Sequence, residues 1–448
     1  RLVGTTRISS LDLARLHPYL GTNDDEEFYG LADLEGTVAG TLTSTSRRLS
    51  IQDISLHLKT GNLTGSIAFQ QTNDEPWTVQ GEVNTSPFNI QTVLTVFSPH
   101  LDKTTFYDTV AESEVSGNVR IVQASVSSVL NMIPPSDIAV TAEFELKDMH
   151  GRLFEKTFEN INASVILQDD TLELRSLSGR YGKTDVLRGI GIVTALHDEA
   201  DIDSTITFMV PTSEFMDHLG ADAPRQEEQE GSENIWEYGS PTGNGILTLE
   251  ILGSLHSDDL EFEGVFQSRG MGFHSAWLGL PVSKLFGQLS FSPDGIKLKK
   301  AKGRIGRSRV QVNAHFAEDD STVQLQSHAD AKELVSFLLS KTGFSPLSPD
   351  ILIQGTTSLN LKMDQHANDT VISAKLDLKK TGYHRESGIS KPVGVAASAD
   401  ADVVLQGDTQ VKIQRIRFGL APLLLTASGH IALTAPPQYS FRSRVTQS

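Results

Sequence analysis

The segment whose residue types most invite a chemical reading is Gly179-Arg180-Tyr181-Gly182-Lys183-Thr184, because Gly-Lys-Thr ends the loops that cradle nucleotide phosphates. The full loop also needs a glycine five residues before Gly182, and Leu177 stands there. A second copy, Gly303-Arg304-Ile305-Gly306-Arg307-Ser308, keeps the glycines and loses the lysine and threonine. Neither copy opens a helical pattern whose N-terminus would hold a phosphate. The spacing therefore predicts a structural turn between two strands.

Other chemistry is set aside on similar grounds. The thirteen histidines include no H-E-x-x-H or H-x-H spacing, so no preformed zinc site is visible. No G-x-S-x-G elbow offers a nucleophile. The acidic clusters Asp24-Asp25-Glu26-Glu27, Asp169-Asp170, Asp258-Asp259 and Glu318-Asp319-Asp320 lack the order of a calcium loop and read as solvated hairpin tips. We assign no catalytic residue, no metal ligand and no cofactor, and read the chain as a non-enzyme.

Composition narrows the partners. With 56 acidic against 38 basic residues the formal charge is −18, which disfavours nucleic acid, a ligand that requires clustered Lys and Arg. Zero cysteines exclude disulfides and thiolate sites and suit an oxidising compartment. No apolar run is long enough to span a bilayer, and no charged, then apolar leader opens the chain.

The glycine segments belong to a longer repetition. Ile161 to Gly182, INASVILQDDTLELRSLSGRYG, reappears as Leu285 to Gly306, LFGQLSFSPDGIKLKKAKGRIG, 124 residues on without a gap. Weaker copies place Asp408-Thr409-Gln410-Val411-Lys412-Ile413 and Leu49-Ser50-Ile51 where the first has Asp170-Thr171-Leu172-Glu173-Leu174. Self-similarity at long period indicates an array. We divide it into the end of a preceding repeat (1–20) and repeats over 21–100, 101–220, 221–341 and 342–448, the last truncated. Both ends read as cut from a longer array.

Period-two alternation predicts strands nearly throughout, as in Ile54-Leu56-Leu58, Ile138-Val140-Ala142-Phe144-Leu146, Leu247-Leu249-Ile251, Leu359-Leu361-Met363 and Val395 to Leu405. Hairpin signals at Thr60-Gly61-Asn62, Gln168-Asp169-Asp170, Asp294-Gly295 and Gln406-Gly407-Asp408 join them into an antiparallel meander. Helical periodicity is confined to Ser10–Leu20, Pro87–Phe97, Thr212–Leu219 and Asp330–Leu339. Arg225 to Asn234 reads as a solvated acidic insertion, and Lys341 to Asp350 as a break. Roughly thirty strands with one apolar face each present more apolar surface than a soluble protein leaves bare. A sandwich, a closed barrel, or a half-open sheet filled by lipid would each solve this, and periodicity does not choose among them.

Units of strand, acidic or Asp-Gly turn, strand, G-x-x-G, strand, hairpin and short helix, carried best by SPDGIKLKKAKGRIGRSRVQVNAHF, HADAKELVSFLL and SLDLARLHPYL, resemble the AsmA-like envelope proteins of bacteria with two membranes (the AsmA, TamB and YhdP type). The resemblance implies an all-β fold: an elongated, twisted antiparallel repeat sheet forming an apolar groove, with short helices punctuating the repeats. It implies a periplasmic protein that shields acyl chains and assists phospholipid transport between the inner and outer membranes, or outer-membrane assembly. Its partners would be phospholipid acyl chains and membrane proteins at each end of the full-length array, with anchoring to the inner membrane through a segment outside this chain.

Groove positions are then the alternating apolar residues that recur between repeats. Val165 and Leu167 match Leu289 and Phe291; Leu172 and Leu174 match Ile296, Leu298, Val411 and Ile413; Ile190 and Ile192 match Ala314 and Phe316. The alternative is a non-catalytic structural or adhesive β-array in which these residues pack a dry core and the outside binds protein. A carbohydrate-active β-solenoid is a further rival, for which aromatic residues at 7% offer little stacking surface.

Overall fold

The computed structural model describes residues 2–12, 31–43, 46–58, 61–73, 75–91, 114–130, 138–153, 156–196, 200–215, 238–254, 260–275, 279–317, 320–342, 351–366, 369–386, 388, 390–407, 410–432 and 438–447. These residues are all-β with one full helix. They divide into two compact units, Arg1–Phe208 with Glu250–Glu261, and Met209–Leu249 with Phe262–Ser448.

The first unit holds β1 (Leu2–Asp12), β2 (Leu31–Leu42), β3 (Ser46–Leu58), β4 (Gly61–Thr72), β5 (Trp77–Thr85), β6 (Phe88–Asn89), β7 (Ser116–Leu130), β8 (Ile138–Leu153), β9 (Lys156–Gln168), β10 (Thr171–Tyr181) and β11 (Thr184–Thr194). Each pairs antiparallel with the next, except that β5 and β6 both pair with β7. β12 (Asp201–Pro211), β13 (Tyr238–Thr242) and β14 (Asn244–Ser254) follow.

The second unit continues with β15 (Glu261–Ser275), β16 (Leu280–Ser292), β17 (Gly295–Ile305), β18 (Ser308–Phe316), β19 (Asp320–Asp330), helix α1 (Ala331–Thr342), β20 (Ile351–His366), β21 (Asp369–Asp377), β22 (Thr381–Arg385), β23 (Ser390–Lys391), β24 (Ala397–Gln406), β25 (Gln410–Leu420), β26 (Leu423–Ala432) and β27 (Gln438–Gln447). From β15 to β21, then β24 to β27, neighbours again pair antiparallel, while β22 and β23 extend from the first half of β20. Among the described residues β1 pairs only with β2 and β27 only with β26, so neither unit closes into a barrel.

The repeated glycine segments are two-residue hairpin turns. Tyr181 opposes Thr184 around Gly182-Lys183, and Ile305 opposes Ser308 around Gly306-Arg307. Gly182 and Gly306 have φ of 59° and 58°, a left-handed conformation that glycine adopts without strain. Even a supporting hydrogen bond recurs: the Gly182 N–H donates to the Thr157 carbonyl at 2.8 Å, and the Gly306 N–H donates to that of Pro281 at 2.9 Å. No helix follows either turn, as the turn reading requires.

Of the four expected helices, Asp330–Leu339 forms as α1. Asp330 caps it, its carboxylate accepting from the N–H groups of Lys332 and Glu333 at 3.1 Å each. Glu333 then ties the helix to the preceding hairpin by accepting from the Arg307 N–H at 2.9 Å and the Ser308 hydroxyl at 3.2 Å. Elsewhere the pattern overstates helix. Residues 10–12 end strand β1, where Leu11 and Asp12 pair with Ala32 and Leu31, so ladder bonding prevails over the weak helical period. Phe88-Asn89 is likewise strand, held against β7, and is followed by helical residues 90–91. Residues 212–215 are helical. Positions 13–20, 92–97 and 216–219 lie outside the described residues, as do 24–27, 225–234, 258–259, 318–319 and 343–350.

Candidate functional site

Directly opposed residues in an antiparallel pair point to one face, and a slip of one residue sends them to the other. Register therefore decides which apolar side chains form a common surface. In the second unit Phe266 opposes Leu289, Leu289 opposes Leu298, Leu298 opposes Ala314, and Ala314 opposes Val323. The row continues through Met363, Ile372, Val403 and Ile413 to Gly429 and Phe441. Beside it run Gly264, Phe291, Ile296 and Phe316, then the polar Ser321, Gln365 and Thr370, then Leu405, Val411, Ile431 and Tyr439.

Eight expected positions, Leu289, Phe291, Ile296, Leu298, Ala314, Phe316, Val411 and Ile413, thus share one face. Phe266, Val323, Met363, Ile372, Val403, Ile431 and Phe441 belong with them and were missed. Several sit in strands whose alternation is plain, but alternation within a strand does not say which neighbour it meets or in what register.

Glycines make room for the aromatic rings on this face. A Cβ on Gly264 would run into the ring of Phe291, one on Gly245 into that of Phe266, and one on Gly429 into that of Phe441. Each ring lies across the bare backbone of its neighbour, an arrangement that shields a glycine in a sheet. At one end Phe215 stacks on Phe266 with ring centroids 3.8 Å apart and planes 7° apart, leaving Phe266 only 3% exposed. Farther along, Ile296 is 44%, Phe316 43% and Phe441 52% exposed.

In the first unit Leu167 opposes Leu172 and Val165 opposes Leu174, and β8 contributes Ala142 and Phe144 to the same two rows. Ile190 and Ile192 do not join them. Leu172 and Leu174 face Val193 and Gly191 on β11, whereas Ile192 opposes Glu173. Ile192, and Ile190 two residues before it, therefore lie on the opposite face, which corrects their grouping with Ala314 and Phe316. The cause is a bulge in β17 between Leu298 and Ala301, with Lys300 at φ 51°. The β10–β11 ladder keeps one register over its whole length. Residues matched at an offset of 124 thus point opposite ways in the third strand of the two repeats.

The reverse face of the second unit is mostly polar, with Phe286, Val265, Val371 and Val404 among its apolar members. Lys297 opposes Ser290 and His315, Gln324 opposes Asn313 and Lys362, Ser373 opposes Lys362 and Asp402, and Arg417 opposes Asp400 and Thr426. Asp402 accepts from the Ser373 hydroxyl at 2.9 Å and from Nη2 of Arg415 at 2.6 Å. The Ser373 hydrogen bond first, and then the Arg415 guanidinium, hold its carboxyl below the usual range, with partial burial opposing them.

Among the described residues no three His, Asp or Glu side chains converge as a metal site would require, and no helix is long and apolar enough to cross a membrane. No family model, curated protein or solved structure significantly matches this chain.

Proposed function

We propose that the apolar rows of these sheets form a groove that holds lipid acyl chains, and that the protein assists phospholipid movement between inner and outer membranes or outer-membrane assembly, in the manner of the AsmA-like envelope proteins it resembles. The supporting observation is the continuous chain of directly opposed residues from Phe266 to Phe441, which aligns mostly apolar side chains of successive strands on one face opposite a mostly polar one. Elongation, a periplasmic location and partner proteins at the ends belong to the same proposal.

Burial favours this reading over a dry structural core. Among the described residues the buried apolar set consists of Ala, Val, Met149, Met271 and Phe266, with no leucine or isoleucine. Two sheets packed face to face would bury their large branched side chains first, since each forgoes about 2 kcal/mol in water. Here those side chains remain partly open, available to hydrocarbon. An acyl tail entering water costs roughly 12 kcal/mol at about 0.8 kcal/mol per CH₂. An apolar face lowers that barrier without holding the lipid tightly, because tail on sheet and tail in bilayer are nearly equivalent environments. Passage, rather than capture, follows.

The test is mass spectrometry of an organic extract of gently purified protein, quantifying phospholipid per chain against a mock preparation. Stoichiometric phospholipid is expected. A soluble, lipid-free protein would overturn the groove and favour the structural or adhesive array.

A further inference from the structure

We propose that Lys284, Lys302, Arg304 and Arg309 form a binding site for the phosphate group of an organic phosphate, with Phe286 beneath the ligand's apolar part. A comparison of the two repeats carries the proposal. In the first unit Arg180 opposes Asp185 beside the Gly182 turn, and the two form an ion pair at 3.0 Å. At the same places beside the Gly306 turn Arg304 opposes Arg309. A salt bridge in one copy is thus a like-charge pair in the other, which costs stability when nothing lies between the charges. Asn160 and Ser178 are likewise replaced by Lys284 and Lys302, and Asn162 by Phe286. Asn160 and Lys284 share a left-handed φ, 53° and 51°, so the backbone is kept there while the side-chain chemistry changes.

Register brings the exchanged residues to one face. Phe286 lies between Arg269 and Lys302, and Arg309 opposes both Arg304 and His328. Lys284, Phe286, Lys302, Arg304, Arg309 and His328 surround a shallow depression of about 390 Å³ that no carboxylate lines. Among the described residues none of the four Lys and Arg side chains is in an ion pair, although the chain carries a formal charge of −18. Such a cluster suits a compact anion of more than one charge. A phosphate monoester carries about −1.5 to −2 and three acceptor oxygens, and guanidinium forks bind it bidentately. Inorganic phosphate would satisfy the cations but leave the Phe286 ring, 54% exposed on the same face, in water. An attached aryl or alkyl group would cover it. A soluble aryl phosphate and the headgroup of a phosphomonoester lipid share this chemistry. The site lies on the face opposite the acyl rows, so it and the groove can fail separately.

Isothermal titration of the whole chain with phenyl phosphate, inorganic phosphate and dihexanoyl phosphatidic acid, the last below its micelle concentration, tests it. Saturable binding of phenyl phosphate is expected, tighter than that of inorganic phosphate, and Phe286→Ala should remove the difference. Whichever of phenyl phosphate and phosphatidic acid binds more tightly identifies the source as soluble or lipid. Arg309→Gln should weaken binding by at least about tenfold, the loss of a charged hydrogen-bond partner. Arg309→Asp, which restores the pairing of the first unit, should abolish binding and raise the urea midpoint of the ligand-free protein. Arg188→Gln, which removes an exposed cation of the first unit, should leave binding unchanged. No saturable binding of either phosphate ester, an equal loss in Arg188→Gln, or an advantage of phenyl phosphate that survives Phe286→Ala would overturn the proposal. Binding of polyglutamate without binding of either ester would overturn it in favour of an acidic peptide.

Discussion

The backbone N–H of Lys300 donates to Oδ1 of Asn313 across β17 and β18, at 2.8 Å. Lys300 is the residue that swings to positive φ in the bulge, and the asparagine amide takes the N–H that the interrupted ladder no longer pairs. The same device recurs in the first unit, where Asp148, at φ 52°, donates its N–H to Oδ1 of Asn162 at 3.2 Å. One side chain thereby secures the register shift that brings Ala314 and Phe316 onto the face of Leu289 and Leu298.

Replacing Asn313 by Ala should therefore destabilise the second unit by about 1 kcal/mol, the usual net value of a hydrogen bond. The check is the urea midpoint of unfolding. Lys300→Gly, which relieves the left-handed strain of a residue with a Cβ, should raise the midpoint and recover part of the loss when combined with Asn313→Ala.

Gly264 is expected to be equally sensitive, for a steric reason. A valine there would push the ring of Phe291 off the strand, at a cost of about 1–3 kcal/mol for overpacking. In a double-mutant cycle with Phe291→Ala the two changes should couple, the valine costing less once the ring is gone. Simple additivity would mean that ring and glycine do not meet.

The strand content, the hairpin turns at Gly182 and Gly306, and the capped helix after Asp330 were legible in the sequence because each is a local signal: alternation, a positive-φ glycine, an Asp followed by an amphipathic run. The face of Ile190 and Ile192 was not. It depends on whether a bulge intervenes between two strands, and nothing in LKKAKGRIG beside LRSLSGRYG marks Lys300 as the bulged residue. The helical reading of residues 10–12 failed for a related reason, since a ladder partner at Leu31 and Ala32 lies some twenty residues away and overrides local period. The Phe266 to Phe441 row needed ten registers at once, which no single strand encodes.

Acid should probe the Ser373–Asp402–Arg415 cluster. Because the folded-state pKa of Asp402 lies below its ordinary value of 3.8, its contribution to stability is present above that pH and is lost as pH falls through the lower folded value. Asp402→Asn should therefore be less stable than the parent near neutrality, and the gap should narrow in acid below the ordinary value. Carboxyl-carbon NMR should find the Asp402 pKa moving up in Ser373→Ala, where its principal hydrogen-bond donor is gone. An unmoved pKa would assign the depression to Arg415.

The central rows offer the most direct test of the groove. Leu289 lies between Phe266 and Leu298, so Leu289→Asp places a carboxylate in the middle of the proposed acyl path, where desolvating the charge is costly to any lipid that covers it. The partly exposed site lets the carboxylate keep water in the lipid-free protein, and the fold should survive, as circular dichroism would report. Phospholipid recovered per chain should fall several-fold. Lys297→Asp, on the reverse face of the adjacent strand, should leave lipid content unchanged, because it alters charge without entering the path. A folded Leu289→Asp protein with parental lipid content would mean that lipid, if bound, does not lie along this row.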